Sequence, residues 1–199
     1  MGTRIFLCGL LVSGLVGLFS CKPQDPNTPH ILIRTAAGDI EVELYPQKAP
    51  KTAGAFLSYV DSGWYKNGSF YRVLSEDNQP SGSGAVKLIQ GGIWQTNHAR
   101  AASLPGVPQE TTRQTGILHT DGVISLARSG PGTATTEFFI CLGDQPGYDY
   151  GGADSPDSLG YATFGKVVKG MEVVRSIYGY RQNNQIFTPT IPIIDITRE

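Results

Sequence analysis

The chain has 199 residues, enough for one domain with a sizeable core, and a formal net charge of −1. Glycine (25) and proline (13) make up about 19% of it, against roughly 12% on average, while charged residues reach only 17%. This excludes a coiled coil and a disordered charged chain and leaves no basic excess for nucleic-acid phosphates; many turns between short elements predict a mainly β fold.

Arg4 is followed by residues 5–19, a run without charge or proline. The run is short of the about 20 residues needed to cross a bilayer and suits the apolar region of a signal peptide. Leu18-Phe19-Ser20-Cys21 resembles a bacterial lipobox, with Phe19 standing where a small residue is usual. The resemblance implies cleavage before Cys21 and a diacylglycerol on its thiol; an ordinary secretory signal cut nearby is the alternative. Residues 1–20 are thus read as a signal peptide. Residues 21–29 (CKPQDPNTP) are read as a lipidated Cys with a polar, proline-rich tether that holds residues 30–199 off a membrane. Lys22, rather than Asp, after the Cys resembles the enterobacterial sorting pattern for the outer membrane, which implies a cell-envelope domain facing the periplasm. With Cys8 in the leader and Cys21 acylated, Cys141 is alone in an apolar run, where a buried inert thiol is expected and no disulfide can form.

Residues 30–35 and 39–44 are rich in Ile, Val and Leu. Ala36-Ala37-Gly38 carries a turn signal between them, so they predict a hairpin. Residues 50–62 predict a helix: Ala49, Ala53, Phe56, Leu57 and Val60 fall on one stripe, Pro50 is tolerated in the first turn, and Gly63 suits the position just past the end. Strands are expected over 69–74 and 86–91, joined by a polar loop at 75–85. Two more, 122–127 and 137–142, flank a loop of small residues at 128–136. A long Gly, Asp and Tyr loop over 143–160 leads to a strand at 161–168, a short helix at 171–178 and a closing strand at 191–197. About eight strands and two helices with no βαβ rhythm predict an antiparallel barrel with its open ends covered, because closure removes exposed edges.

Five segments carry polar and aromatic residues in a fixed order: Phe70-Tyr71-Arg72-Val73, Gln90-Gly91-Gly92, Ser125-Leu126-Ala127-Arg128 with Gly130-Pro131-Gly132-Thr133, Glu137-Phe138-Phe139-Ile140, and Phe164-Gly165-Lys166-Val167 with Gly170-Met171. Over residues 31–197 this order resembles the cyclophilin-type peptidyl-prolyl cis-trans isomerases. The resemblance implies a closed eight-stranded antiparallel barrel capped by two α-helices. It also implies rotation of X–Pro bonds in Pro-containing polypeptides, with no cofactor and no metal. The barrier to that rotation, about 18–20 kcal/mol, is lost amide resonance. The reaction therefore asks for an apolar grip on the proline ring and a donor to the prolyl nitrogen, not a nucleophile.

By resemblance Arg72 is that donor. An arginine suits the role because a guanidinium is always charged and carries its donors in a fixed plane. Gln90 matches the residue that holds the arginine and the substrate backbone. Ala127 and Arg128 match positions whose backbone binds the residue before proline. Phe139 matches the floor of the proline pocket, Leu88 an apolar wall, and Tyr148 and Tyr161 the rim; Phe70 belongs to the same substrate-binding set. Leu88 and Gln90, two residues apart, share one face of their strand.

Some positions depart from the family pattern. Tyr71 replaces a common His, Lys87 falls where the pocket carries a Phe, and Arg128 replaces an Asn. The stretch between Arg72 and Gln90 is longer than in compact members, so residues 75–85 form an insertion beside the site, expected to shape which polypeptides enter. A degenerate module that binds Pro-containing segments with little catalysis is therefore the alternative to an isomerase that speeds the folding of exported proteins. A monomer on its tether is the simplest assembly. His30, His98 and His119 lack metal-ligand spacing and are expected in solvent or turns. Asp144, Asp149, Asp154 and Asp157 do not match a calcium loop, and Ser125, Ser129 and the Thr133–Thr136 run have no neighbouring base in sequence, so neither a metal nor a hydrolase is expected.

Overall fold

The structure, a computed structural model, describes residues 28–80 and 85–199. The expected leader, Cys21 and the tether as far as residue 27 lie outside the described residues, as do residues 81–84 of the insertion.

β1 (His30–Thr35) and β2 (Gly38–Leu44) form the expected hairpin, with Thr35 opposite Gly38 at the turn. Their alternation sends Ile31, Ile33, Ile40, Val42 and Leu44 inward, where all are fully buried. α1 (Pro50–Asp61) buries the expected Ala53, Phe56, Leu57 and Val60, and with them Thr52 and Tyr59. Its first turn has no local side-chain cap. Glu110 supplies one from far along the chain: its carboxylate accepts from the N–H of Lys51 (3.2 Å) and Thr52 (2.8 Å) and from the Thr52 hydroxyl (2.7 Å). A carboxylate there satisfies orphan donors and meets the positive end of the helix.

The remaining strands in chain order are β3 (Gly68–Leu74), β4 (Leu88–Gly92), β5 (Val123–Leu126), β6 (Phe138–Cys141), β7 (Ala162–Lys169), β8 (Gln182–Asn183) and β9 (Ile186–Arg198). The sheet runs β1-β2-β7-β5-β6-β4-β3-β9, every pair antiparallel, and β9 returns to β1 to close an eight-stranded barrel. β8 only adds a short ribbon to β9. The last strand therefore starts earlier than its apolar run suggests, at a tight turn where Asn184 and Gln185 adopt φ of 49° and 71°.

Between β4 and β5 lie two short helices that apolar periodicity does not reveal, α2 (His98–Ser103) and α3 (Thr112–Thr115). Each is too short for a stripe and rests on its N-terminus: Asn97 accepts from the Arg100 N–H, and Thr111 with Gln114 makes a capping box. α4 (Met171–Tyr178) matches its expected bounds and buries Val174 and Ile177.

Aromatic rings fill the barrel. Phe56 from α1 sits 4.9 Å from Phe164, 5.0 Å from Tyr65 and 5.6 Å, edge-on, from Phe138. Phe70 is part of this interior, fully buried and 5.7 Å edge-on to Phe138. The expectation that Phe70 binds substrate is thus corrected: its side chain faces the core.

Candidate active site

β3 carries the polar side of the site, and it does so through a bulge. Its ladder with β4 pairs Phe70 with Gly91 and then Arg72 with Gln90, leaving Tyr71 as the extra residue. Both Tyr71 and Arg72 consequently face a groove on the outside of the barrel, while Phe70 and Val73 belong to the interior cluster. Arg72 Nη1 donates to Gln90 Oε1 at 3.1 Å, and Gln90 Nε2 donates to the Tyr71 hydroxyl at 2.8 Å. On its other edge Arg72 donates through Nε (3.1 Å) and Nη2 (2.8 Å) to Gln185 Oε1. These bonds use three of the guanidinium's N–H groups and leave two without a protein partner among the described residues.

The apolar side of the groove is a second cluster, separate from the barrel interior. Leu88 and Phe139 join Leu74, Val86, Cys141 and Tyr148, with Ala127 and Tyr161 packed against them. Phe139 stands edge-on to Tyr161 (5.4 Å) and Tyr148 (5.6 Å). Burial pushes the hydroxyls of Tyr148, Tyr161 and Tyr71 up, so all three stay neutral. Cys141 is fully buried and burial raises its thiol too, in keeping with an inert role.

His119 lies almost parallel to Phe139, 6.0 Å away, and is buried, not solvated as its sequence context suggested. Its Nδ1 donates to Asp149 Oδ1 at 2.7 Å, and its Nε2 is 2.9 Å from Ser125 Oγ. The fold thus supplies the base near Ser125 that the linear sequence lacks. The order Asp–His–Ser is that of a hydrolytic triad, but Ser125 is 0% exposed and no substrate carbonyl can reach it. The chain instead ties the 143–160 loop to β5 beneath the groove floor.

Arg128 forks onto Asp157 at 2.8 and 2.7 Å, donates twice to the Gly160 carbonyl (3.1 and 2.6 Å) and lies over the Tyr161 ring at 5.2 Å. Its side chain is a clamp for the rim loop, which leaves its backbone for a ligand. The guanidinium beside it holds the Asp157 carboxyl down to about 2. The Ala127 N–H is taken by the Glu137 carbonyl at 2.8 Å, which narrows the peptide-binding role expected of Ala127 to its own carbonyl.

Glu137 joins the groove to the core. Its Oε1 accepts from the N–H of Ile93 and Trp94, both at 2.9 Å, and from the Thr136 hydroxyl at 3.0 Å. Burial lifts its carboxyl above the usual range, against the pull of the Tyr71 hydroxyl and these donors. Gly92, at φ 148°, lies directly beneath, and any side chain there would collide with the carboxylate.

The groove encloses about 370 Å³ and is lined by every residue given a catalytic or substrate-binding role from the sequence except Phe70. Tyr71, Trp94, Gln95 and Glu137 also line it; of these, Tyr71 and Glu137 stand in motif segments, and that was the available signal. Lys87 is absent from the groove. It pairs with Glu76 at 2.5 Å and lines a second cavity of about 290 Å³ with Tyr178, Tyr180 and Gln182, so the apolar floor loses nothing to it. Ser75, Glu76 and Asp77 line that second cavity too, and none of the described insertion residues lines the groove. The insertion reaches the site differently, through Gln185, which the sequence did not single out.

Residues 30–198 match the family model of cyclophilin-type peptidyl-prolyl cis-trans isomerases. Peptidyl-prolyl cis-trans isomerase A of Dickeya dadantii is 36% identical over 185 residues, covering 92% of this chain and 88% of that one. A peptidyl-prolyl cis-trans isomerase of Acinetobacter baylyi is 37% identical over 159 residues, 76% of each chain. The crystal structure of a cyclophilin-type isomerase from Cryptosporidium parvum shares the fold with a TM-score of 0.67 at 22% identity, covering 86% of this chain and 98% of that one. The chain belongs to the cyclophilin-type peptidyl-prolyl cis-trans isomerase family and is an enzyme of that class.

Proposed function

We propose that the groove takes a Pro-containing segment of an exported polypeptide and that Arg72 is the catalytic group. Phe139 and Leu88, with the Tyr148 and Tyr161 rims, hold the proline ring. As the X–Pro bond twists, the prolyl nitrogen regains its lone pair and accepts from an Arg72 N–H. That interaction is stronger in the twisted state than in either planar state, which is what lowers the barrier. Gln90 holds the guanidinium, and the backbone at Ala127 and Arg128 holds the residue before proline. One observation carries this reading: the Arg72 guanidinium is gripped on two edges by glutamine amides, beside an apolar floor, with two N–H groups to spare.

The alternative, a binding module with little catalysis, drew on Lys87, Arg128 and the insertion. Lys87 and the Arg128 side chain both lie outside the proline site's chemistry, which favours catalysis. Arg72→Ala in the full chain, assayed in mild detergent by coupled X–Pro isomerisation, is expected to lower kcat/KM about 100- to 1000-fold, the loss usual for one donor aimed at transition-state charge. Wild-type protein no faster than background would leave the binding reading in place.

The cellular setting is part of the same proposal. Residues 1–20 act as a lipoprotein signal and Cys21 is acylated. Residues 21–29 tether a monomeric domain, residues 30–199, to the outer membrane facing the periplasm. Cys21→Ser is expected to abolish both the lipid modification and the cleavage before residue 21, read by mass spectrometry of the protein from envelope extracts. A wild-type mass spectrum with no lipid-modified Cys21 would reject the anchor.

A further inference from the structure

Resting on the reading of Arg72 as the catalytic group, we infer that Gln185 is a positioning residue for it and that the insertion sets the isomerisation rate by holding Gln185 in place.

Gln185 Oε1 accepts from Arg72 Nε and Nη2 at 3.1 and 2.8 Å, while its Nε2 donates to the Asn78 carbonyl at 3.1 Å. These partners fix which way the amide points. A guanidinium only donates and a peptide carbonyl only accepts, so turning the amide over would break all three bonds and set donor against donor and acceptor against acceptor. The backbone of Gln185 is pinned as well. Its carbonyl accepts from the Val73 N–H at 2.8 Å, and its own N–H donates to Gln182 Oε1 at 2.9 Å.

Asn78 is in turn latched to the end of β3. Its Nδ2 donates to the Val73 carbonyl at 3.1 Å, and its Oδ1 accepts from the Ser75 N–H at 2.9 Å. Gln79 Nε2 closes the base of the insertion by donating to the carbonyls of Ser75 and Val86, both at 2.8 Å. A continuous run of bonds therefore leads from the insertion through Gln185 to Arg72. Gln90 grips the opposite edge, so the guanidinium plane is held from both sides before substrate arrives. A donor fixed in this way loses less freedom in the transition state, and the benefit belongs to kcat more than to KM.

The test is kinetics of the full chain in detergent, with wild type, Arg72→Ala, Gln185→Ala, Gln79→Ala and the Gln185→Ala/Gln79→Ala double variant. Gln185→Ala is expected to lower kcat about 10-fold with KM within about 2-fold of wild type. Gln79, whose amide bonds to the carbonyls of Ser75 and Val86, is expected to show a smaller loss of the same kind, absent from the double variant because the insertion acts through Gln185. Thermal melting of each variant guards against simple unfolding. The inference is overturned if Gln185→Ala keeps full kcat while Arg72→Ala is inactive, or if the two losses multiply in the double variant. If Arg72→Ala is itself fully active, it is the catalytic reading that fails, and the two failures are thereby told apart.

Discussion

Phe138 and Phe139 are adjacent on β6, equally apolar, and belong to two different clusters. Phe138 points into the barrel among Phe56, Tyr65 and Phe70, enclosed on all sides. Phe139 points outward and rests on Tyr148, Tyr161 and His119, with a groove above it. The interior is held mainly by apolar and aromatic packing, with the Tyr65 hydroxyl donating to the Thr136 carbonyl at 2.9 Å. The outer cluster is ringed by polar side chains that are themselves tied down, Arg72 by two glutamines and Arg128 by Asp157 and Gly160. The difference teaches where this fold keeps stability and where it keeps chemistry: one strand supplies both because its side chains alternate.

Truncating each ring separates the two roles. Phe138→Ala is expected to cost about 3–5 kcal/mol of stability, because the barrel cannot collapse around the lost ring. Phe139→Ala opens into an existing groove and is expected to cost less stability but to reduce kcat/KM strongly, read from denaturant melts beside isomerisation rates. Equal destabilisation with unchanged activity would erase the distinction between the clusters.

A smaller effect tests the tertiary cap on α1, which belongs to the interior side. Glu110→Ala is expected to cost about 1–2 kcal/mol, since Lys51 and Thr52 lose their acceptor and no local residue replaces it. Activity per folded molecule should not change.

The smallest effects concern two shifted acids, Glu137 in the groove and Asp157 on the loop at its rim, which move in opposite directions. Glu137 is raised by burial, so its protonated form fits the fold better. Its contribution is fully present below the ordinary value of 4.5 and is lost as pH rises through the raised value. Glu137→Gln should remove that decline from a plot of stability against pH. Asp157 is lowered to about 2 by Arg128, so its contribution is present above 3.8 and is lost only as pH falls through about 2. A carboxyl carbon-13 titration should place Asp157 near that value, and Arg128→Ala should return it toward the ordinary range.

Much of this was legible in the residues. The α1 stripe, the α4 bounds and the first hairpin follow from local periodicity, and the motif order carried Arg72, Gln90, Leu88, Phe139 and the two rim tyrosines to one groove. What was not legible shares one cause. Tyr71 joins the groove because a bulge breaks the alternation that would have placed it opposite Arg72. Glu110, Gln185 and His119 matter through partners on distant segments, which no local spacing encodes. Phe70 and Lys87 were misplaced because a motif position names a neighbour in sequence, not the face of the strand on which a side chain lies.

By itself the sequence determined a mainly β barrel with few charges, its two principal helices and the residue types its reaction needs, because hydrophobic period and turn chemistry are local properties. Only the tertiary structure decided which face each β3 residue takes, which carboxylate caps α1, and which second amide joins Gln90 in holding Arg72. Those are set by barrel closure and by the register of paired strands, and register exists only once distant segments meet.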